Sequence, residues 1–274
     1  TEYRLIQLMP EIPLCYKTNT LAHIKKEEMV QVLSQRLDKT IPPDQEAISY
    51  AVQNDVLETL SKIRMGITGA NAIAALEGAV YLCEGEMNQA RVTLLPVHIV
   101  IAGIEKIIPT MLDAMSFIYL QSFYEGGFGA RHIMALRGPS AGEGYTLGKS
   151  VRGIYGSNEM HVVLVDNGRT RMIREGFEQC LYCIRCWECL NYCPVHELLG
   201  PGSGFGFKTP AFGYKGYCGG RGVILTAFTQ GMAKAVEAGL YLCTMCGNCL
   251  KHCPMEIDIP SMIRRLRAKV AEEG

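Results

Sequence analysis

The sequence predicts two parts in series: an α/β layered domain over residues 1–175 and a smaller cysteine-rich domain over residues 176–274. Three observations predict this. Short apolar runs rich in β-branched residues alternate with helical patterns as far as about residue 175. Composition then shifts, with cysteines crowding residues 180–193 and nine glycines falling within 200–222. Eight of the twelve cysteines sit in two short runs whose spacing repeats. A length of 274 residues suits about two domains.

Residues 1–22 read as a short strand and an irregular stretch broken by Pro10 and Pro13. Ile24, Val30, Val32, Leu33 and Leu37 recur at near-helical spacing and predict a helix over 25–38. Ile41-Pro42-Pro43-Asp44 stops it, and Asp44 is placed as the N-cap of a helix over 45–63. Met65 to Asn71 reads as a small-residue turn. Ala79–Cys83 and Val97–Ala102 read as buried strands, and residues 109–124 as a helix. His161–Val165 reads as another buried strand, closed by the tight-turn sequence Asp166-Asn167-Gly168. The domain boundary falls near Arg174–Phe177. Beyond it, the glycine-rich 200–222 reads as loop, 223–239 as helix, and a helix over 260–271 closes the chain.

Composition excludes several functions. Lys+Arg and Asp+Glu are both 27, which gives no basic excess for a nucleic acid. The dense basic cluster Arg264-Arg265-Leu266-Arg267 reads as a solvated helix face. The longest apolar run, Val92–Ile104, is broken by Pro96 and His98 and falls short of the roughly 18–20 residues of a membrane helix, so no transmembrane segment is expected. The opening Thr-Glu-Tyr-Arg carries no signal-peptide pattern. The expected location is cytoplasmic, with any membrane association peripheral and through partners.

The chemistry lies in Cys183-Ile-Arg-Cys186-Trp-Glu-Cys189-Leu-Asn-Tyr-Cys193-Pro194 and Cys243-Thr-Met-Cys246-Gly-Asn-Cys249-Leu-Lys-His-Cys253-Pro254. Both read C-x2-C-x2-C-x3-C-P, and every ligand recurs after 60 residues. Three thiolates two residues apart wrap one 4Fe–4S cube, while the fourth reaches the other cluster. Cys183, Cys186 and Cys189 are therefore paired with Cys253, and Cys243, Cys246 and Cys249 with Cys193, around two 4Fe–4S clusters. Structural zinc prefers two separated pairs, and clustered cysteines without an export signal argue against disulfides. Starting the first motif at Cys180 would put its fourth ligand at Leu190, so the register begins at Cys183. Cys180 reads as a spare thiol or a packing residue, and Cys15 and Cys83 as buried small hydrophobes. With Cys218 they would permit a third cluster by count alone, the weaker reading.

Other residues carry lesser readings. Gly66-x-x-Gly69 reads as a tight turn ahead of an anion cradle. His98 reads as a satisfied core histidine. Trp187, between two ligands, reads as a shield that keeps water from a cluster. The glycines of 200–222 leave two readings open: backbone amides close to cluster sulfurs, or a loop against a partner. No nucleophile–base pair, P-loop or complete dinucleotide fingerprint is visible, so no catalytic residue is assigned and the chemistry is expected on another chain.

The two motifs, with Val195 after the first and Ile257-Asp258-Ile259-Pro260 after the second, resemble the iron–sulfur (B) subunits of L-lactate utilisation complexes. Upstream, Gly66-Ile67-Thr68-Gly69-Ala70-Asn71, Pro96-Val97-His98-Ile99, Gly103–Pro109 and His161–Arg169 are similar to the lactate-utilisation (LUD) domain. The chain departs from that pattern at Leu76-Glu77-Gly78, Glu86–Arg91 and Ala141-Gly142-Glu143. The resemblance implies an α/β Rossmann-like LUD domain, CoA-transferase/sugar-isomerase-like and apparently truncated, followed by a mainly α-helical two-cluster ferredoxin domain. It implies an electron-transfer subunit of a complex that oxidises lactate to pyruvate, with a flavoprotein or cysteine-rich redox subunit as partner. Alternative readings are a subunit of a heterodisulfide-reductase-like or sulfur-handling complex, a LUD active site fed by the clusters, with a ligand near Gly66–Asn71 or Gly138–Ser140, and a cluster-based redox sensor.

Overall fold

A computed structural model of the chain describes Leu8 and residues 25–84, 88–124, 132–137, 157, 159–200, 212–214 and 217–273. The strand expected within 1–22, Cys15, Glu86, Met87, the segments Gly138–Ser140 and Ala141–Glu143, and the glycines at 202, 204, 206 and 216 lie outside the described residues. The described residues divide into two units, one within Lys25–Val165 and the other within Asp166–Gly274.

In the first unit, α1 (Lys26–Leu37) ends where Asp38 turns left-handed at φ 51°. Helix α2 (Gln45–Lys62) starts at Asp44, whose carboxylate accepts the Ala47 N–H at 2.8 Å, as the sequence predicts. Leu33, Ile41, Ile48 and Val52 bury themselves around this pair. Three strands form a parallel sheet: β1 (Met65–Thr68) beside β4 (Val97–Gly103), and β4 beside β7 (Glu159–Val165). A second, mixed sheet runs in the order β5 (Ile107–Ile108), β2 (Ala72–Ala74), β3 (Ala79–Glu84) and β6 (His132–Arg137). Period-two alternation gives each of its faces a separate job. Ala72, Ala74, Ala79 and Tyr81 pack on Ala114 and Ile118 of helix α4 (Met111–Tyr124). Ile73, Val80 and Leu82 pack on Val100 and Ala102 of β4.

Two expectations fail here. Met65–Thr68 is a strand rather than a turn, held by its register with Val97–Val100. Gly66 serves close packing: a Cβ there would lie 2.3 Å from Val92 Cγ1 of helix α3 (Asn88–Val92) and 2.9 Å from Leu95 Cδ1. Strand β7 is not buried, since Val162, Val163 and Leu164 are 41%, 46% and 48% exposed. It pairs on one side only, with β4, among the described strands.

In the second unit, α5 (Arg169–Arg174) follows the left-handed turn at Asn167 and Gly168. A 3-10 turn (Glu178–Tyr182), α6 (Glu188–Asn191) and α7 (Pro194–Leu199) come next. Two short antiparallel strands, β8 (Gly213–Tyr214) and β9 (Tyr217–Cys218), lead into α8 (Gly219–Thr229) and α9 (Met232–Glu237). Helices α10 (Asn248–Lys251) and α11 (Ile259–Glu273) complete the unit. Phe177, Val223, Ile224, Leu240, Ile263 and Leu266 are among its core residues.

Three corrections fall in this unit. Gly219, Gly220 and Gly222 are helical rather than loop, because α8 is buried over most of its circumference and packing outweighs the poor helix propensity of glycine. Gly231, at φ 100°, divides the helix expected over 223–239. The basic cluster on α11 is also more than a solvated face. Arg265 donates to the Gly176 carbonyl at 2.7 Å and lies over the Phe177 ring, and Arg267 donates to the carbonyls of Leu240 and Cys243.

His98, only 1% exposed, meets Thr68 Oγ1 at 2.8 Å, the satisfied core histidine that the sequence predicts. Burial holds its imidazole below the ordinary value of 6.5. The unfolded chain then binds more protons just below that value, so stability is full above it and falls as the pH drops through the folded value. Protection factors of the β4 amides from hydrogen exchange should fall between pH 7 and pH 5, and His98→Gln should flatten that dependence. Equal pH dependence in both proteins would refute the assignment.

Candidate metal centre

The sequence repeat is also a repeat of backbone conformation. In the first motif Arg185 and Trp187 are left-handed, at φ 63° and 65°. Their counterparts Met245 and Gly247 are left-handed too, at φ 61° and 81°. Each motif then makes a single helical turn, α6 or α10, before its fourth cysteine. Left-handed residues between ligands reverse the local winding, so three cysteines two residues apart face one space rather than spiralling round a helix. The two copies meet: Tyr192 stacks on His252 with centroids 3.5 Å apart and planes 6° from parallel, and Asn248 Nδ2 donates to the Tyr192 carbonyl.

The fourth cysteines differ. Cys193 is the N-cap of α7, with Pro194 at the first helical position, where its missing N–H costs nothing, and Cys193 Sγ accepts the His196 N–H at 3.4 Å. Cys253 leads into a tight turn, in which the Glu256 N–H donates to its carbonyl at 3.0 Å.

Two cavities open between the motifs. One, with about 350 Å³ of empty space, is lined by Cys183, Cys186, Cys189 and Cys253. The other, about 440 Å³, is lined by Cys193, Cys243, Cys246 and Cys249, and Cys189 reaches its edge. Cys189 and Ile259 line both cavities and so form the wall between them. Each cavity therefore brings together three cysteines of one motif and the fourth of the other. Cys180 and Cys218 are buried in the core and line neither cavity, and Cys83 is half-buried on β3. The Cys180 carbonyl accepts from Arg221 Nε at 3.3 Å.

Electrostatics in the cavities favour a cationic centre bound by thiolates. Burial, with the neighbouring Cys183 and Cys253, pushes the Cys186 thiol up to about 11. Burial, with Cys243, Cys193 and Cys246 nearby, pushes Cys249 up to about 12. Cys189 and Cys193 are raised by burial as well. Such thiols keep their protons unless metal takes their place. The surroundings are already set for sulfur charge: the Arg185 N–H donates to Cys183 Sγ at 3.3 Å, and the Glu188 N–H reaches Cys186. No three His, Cys, Asp or Glu side chains among the described residues close round a single metal-ion position. The motif cysteines line two cavities instead.

Three features were not legible in the sequence. Arg221, buried at the start of α8, lines the smaller cavity. Gly219 and Gly220 line the larger cavity, so the positive end of α8 faces it. A Cβ on either would come within 2.6 Å of Leu190 or Ile259, which is why glycine stands there. Arg267 fixes the loop entering the second motif through the Leu240 and Cys243 carbonyls. Reading 200–222 as loop hid the first two.

Comparison with known proteins agrees with this geometry. A family model described as the LUD domain matches residues 7–165, and one described as a 4Fe-4S dicluster domain matches residues 179–257. The chain is 30% identical over 256 residues to the uncharacterized electron transport protein YkgF of Escherichia coli (strain K12), covering 92% of this chain and 50% of that protein. It is 31% identical over 256 residues to lactate utilization protein B of Macrococcus caseolyticus, covering 92% of this chain and 49% of that protein. It is 27% identical over 272 residues to lactate utilization protein B of Shouchella clausii, covering 98% and 53%. The chain thus spans about half the length of these curated relatives. No solved structure matches it. No helix among the described residues is long and apolar enough to cross a membrane. With its LUD match covering more than half its length and its cysteine motifs inside the second match, the chain belongs to the LUD domain family, joined here to a 4Fe-4S dicluster domain.

Proposed function

We propose that this chain is the iron–sulfur electron-transfer subunit of a multi-subunit oxidoreductase acting in lactate utilisation. The observation that carries the reading is the pair of adjacent four-cysteine cavities divided by Cys189 and Ile259. Cys183, Cys186, Cys189 and Cys253 hold one 4Fe–4S cluster, and Cys243, Cys246, Cys249 and Cys193 hold the other. When bound, these clusters supply one-electron redox chemistry. The chain's own residues do the rest. Backbone N–H groups of Arg185, Glu188 and His196 stabilise thiolate charge. Arg221 offsets it from the core side, and Ile184, Ile257 and Ile259 keep water from the smaller cavity.

The parallel β1–β4–β7 sheet supports a Rossmann-like reading of the LUD domain, and the many short helices of the second unit support a helical ferredoxin reading. Lactate is favoured as the electron source by the names of the relatives. Gly66, filled in by Val92 and Leu95, and Asn71, whose Oδ1 accepts the Cys83 N–H at 3.0 Å, are committed to packing and backbone support, which counts against a ligand site between them. The substrate is then oxidised on another chain, a flavoprotein or a cysteine-rich redox subunit.

Anaerobic co-purification should recover such a partner, and lactate should reduce the clusters only in its presence; reduction by lactate without it would refute the division of labour. Purified alone, the protein should hold about eight irons and eight sulfides. The crossed ligand pairing has its own test. C183S/C186S/C253S should keep about four irons, since it dismantles one site, whereas C183S/C186S/C193S should damage both. The opposite order of iron contents would reverse the pairing. Arg221→Gln should lower one of two midpoint potentials by on the order of 60 mV, about 1.4 kcal/mol for one electron, because it removes a cation that favours the more negative reduced state. An unchanged titration would refute that role.

A further inference from the structure

The 60-residue repeat aligns Trp187 with Gly247. Both cap a single helical turn and both are left-handed, at φ 65° and 81°. Glycine is the ordinary occupant of that conformation, and a bulky residue there is an outlier. The second motif uses the ordinary solution. The first places the chain's one tryptophan there. Its side chain lines the smaller cavity with Cys183, Cys186 and Cys253. At the matching point of the larger cavity the wall ends at Gly247, where an added Cβ would meet nothing within 4 Å. Exposure follows the same asymmetry: Cys186, beside Trp187, is half-buried, whereas Cys246, beside Gly247, is exposed.

We infer that Trp187 seals the Cys183–Cys186–Cys189–Cys253 cavity against water, and that the unsealed mouth at Gly247 and Cys246 is where an external electron carrier exchanges electrons with the chain. This rests on the reading of the chain as a two-cluster relay. Removing water around a cluster disfavours its more negative, reduced state, so sealing lowers its potential relative to an open cavity. Tyr241 and Leu242, 56% and 41% exposed, flank Cys243 on the same motif and give a redox partner protein apolar surface beside the open site.

The test uses the anaerobically purified full chain, with iron and sulfide counted first. Redox titration followed by electron paramagnetic resonance then reads the two midpoints. Stopped-flow mixing of the reduced protein with ferricyanide reads the exchange, each cluster giving up one electron and each ferricyanide becoming ferrocyanide. Trp187→Gly should raise one midpoint and leave the other in place, and Trp187→Phe should restore the original value. Gly247→Trp, whose side chain has open space and whose backbone strain at φ 81° is of the kind that Trp187 already bears at φ 65°, should lower the other midpoint and slow oxidation by ferricyanide severalfold. If both substitutions move the same midpoint, or Gly247→Trp leaves potential and rate unchanged, the inference is wrong. If Trp187→Gly does not load its clusters, Gly247→Trp decides by itself. A single reducible cluster in the unaltered protein would instead overturn the relay reading beneath it.

Discussion

The constraint on which the second unit depends is charge. Six of the eight motif cysteines, all but Cys186 and Cys246, pack against one apolar core of Phe177, Val223, Ile224 and Leu240. Thiolates so placed repel one another and lose their hydration, and the raised values of Cys186, Cys189, Cys193 and Cys249 register that cost. A site of this kind is stable only with metal in it or with its thiols protonated. Metal loading and folding are therefore coupled, and the protein supplies what offset it can in advance: backbone N–H groups, the N-terminal end of α8 and the buried Arg221.

The second organising fact is duplication with divergence. Two copies of one motif stack through Tyr192 and His252, and their exchange of fourth cysteines ties each copy to the other's cavity. Losing either copy would leave both cavities incomplete. Yet the copies are not equivalent. Pro194 starts a helix whereas Pro254 enters a turn, Arg221 attends only the smaller cavity, and the end of α8 only the larger. Two clusters in identical surroundings would share one potential and give electrons no preferred resting place. The differences in wall residues are what can separate them.

Legibility in the sequence followed the range of the interactions. The Asp44 cap, α1, α2, α4 and strands β3 and β4 were readable because each is fixed by residues close in sequence. Apart from Gly231, whose φ of 100° breaks the helix expected over 223–239, the failures were matters of long-range context. Met65–Thr68 looks like a turn by composition, and only its pairing with Val97–Val100 makes it a strand. His161–Val165 has the composition of a buried strand but, among the described strands, neighbours another on one side only. Gly219 and Gly220 are poor helix formers, outweighed by packing against Leu190 and Ile259. Arg221 could not be assigned from sequence, because its role depends on α8 lying across the cavity.

The same reasoning bears on the first unit, where the motif resembling the LUD family contains residues that suggest a ligand site: two glycines, a threonine and an asparagine within six positions. Three of the four have structural work in this fold. Gly66 gives room to Val92, Thr68 satisfies the buried His98, and Asn71 holds the Cys83 amide and reaches Gln121 through Nδ2. A small polar motif beside a sheet edge can thus be demanded by close packing and by buried hydrogen-bonding groups alone. For this chain the residues suited to chemistry are concentrated in the second unit, where eight sulfur donors line two adjacent cavities.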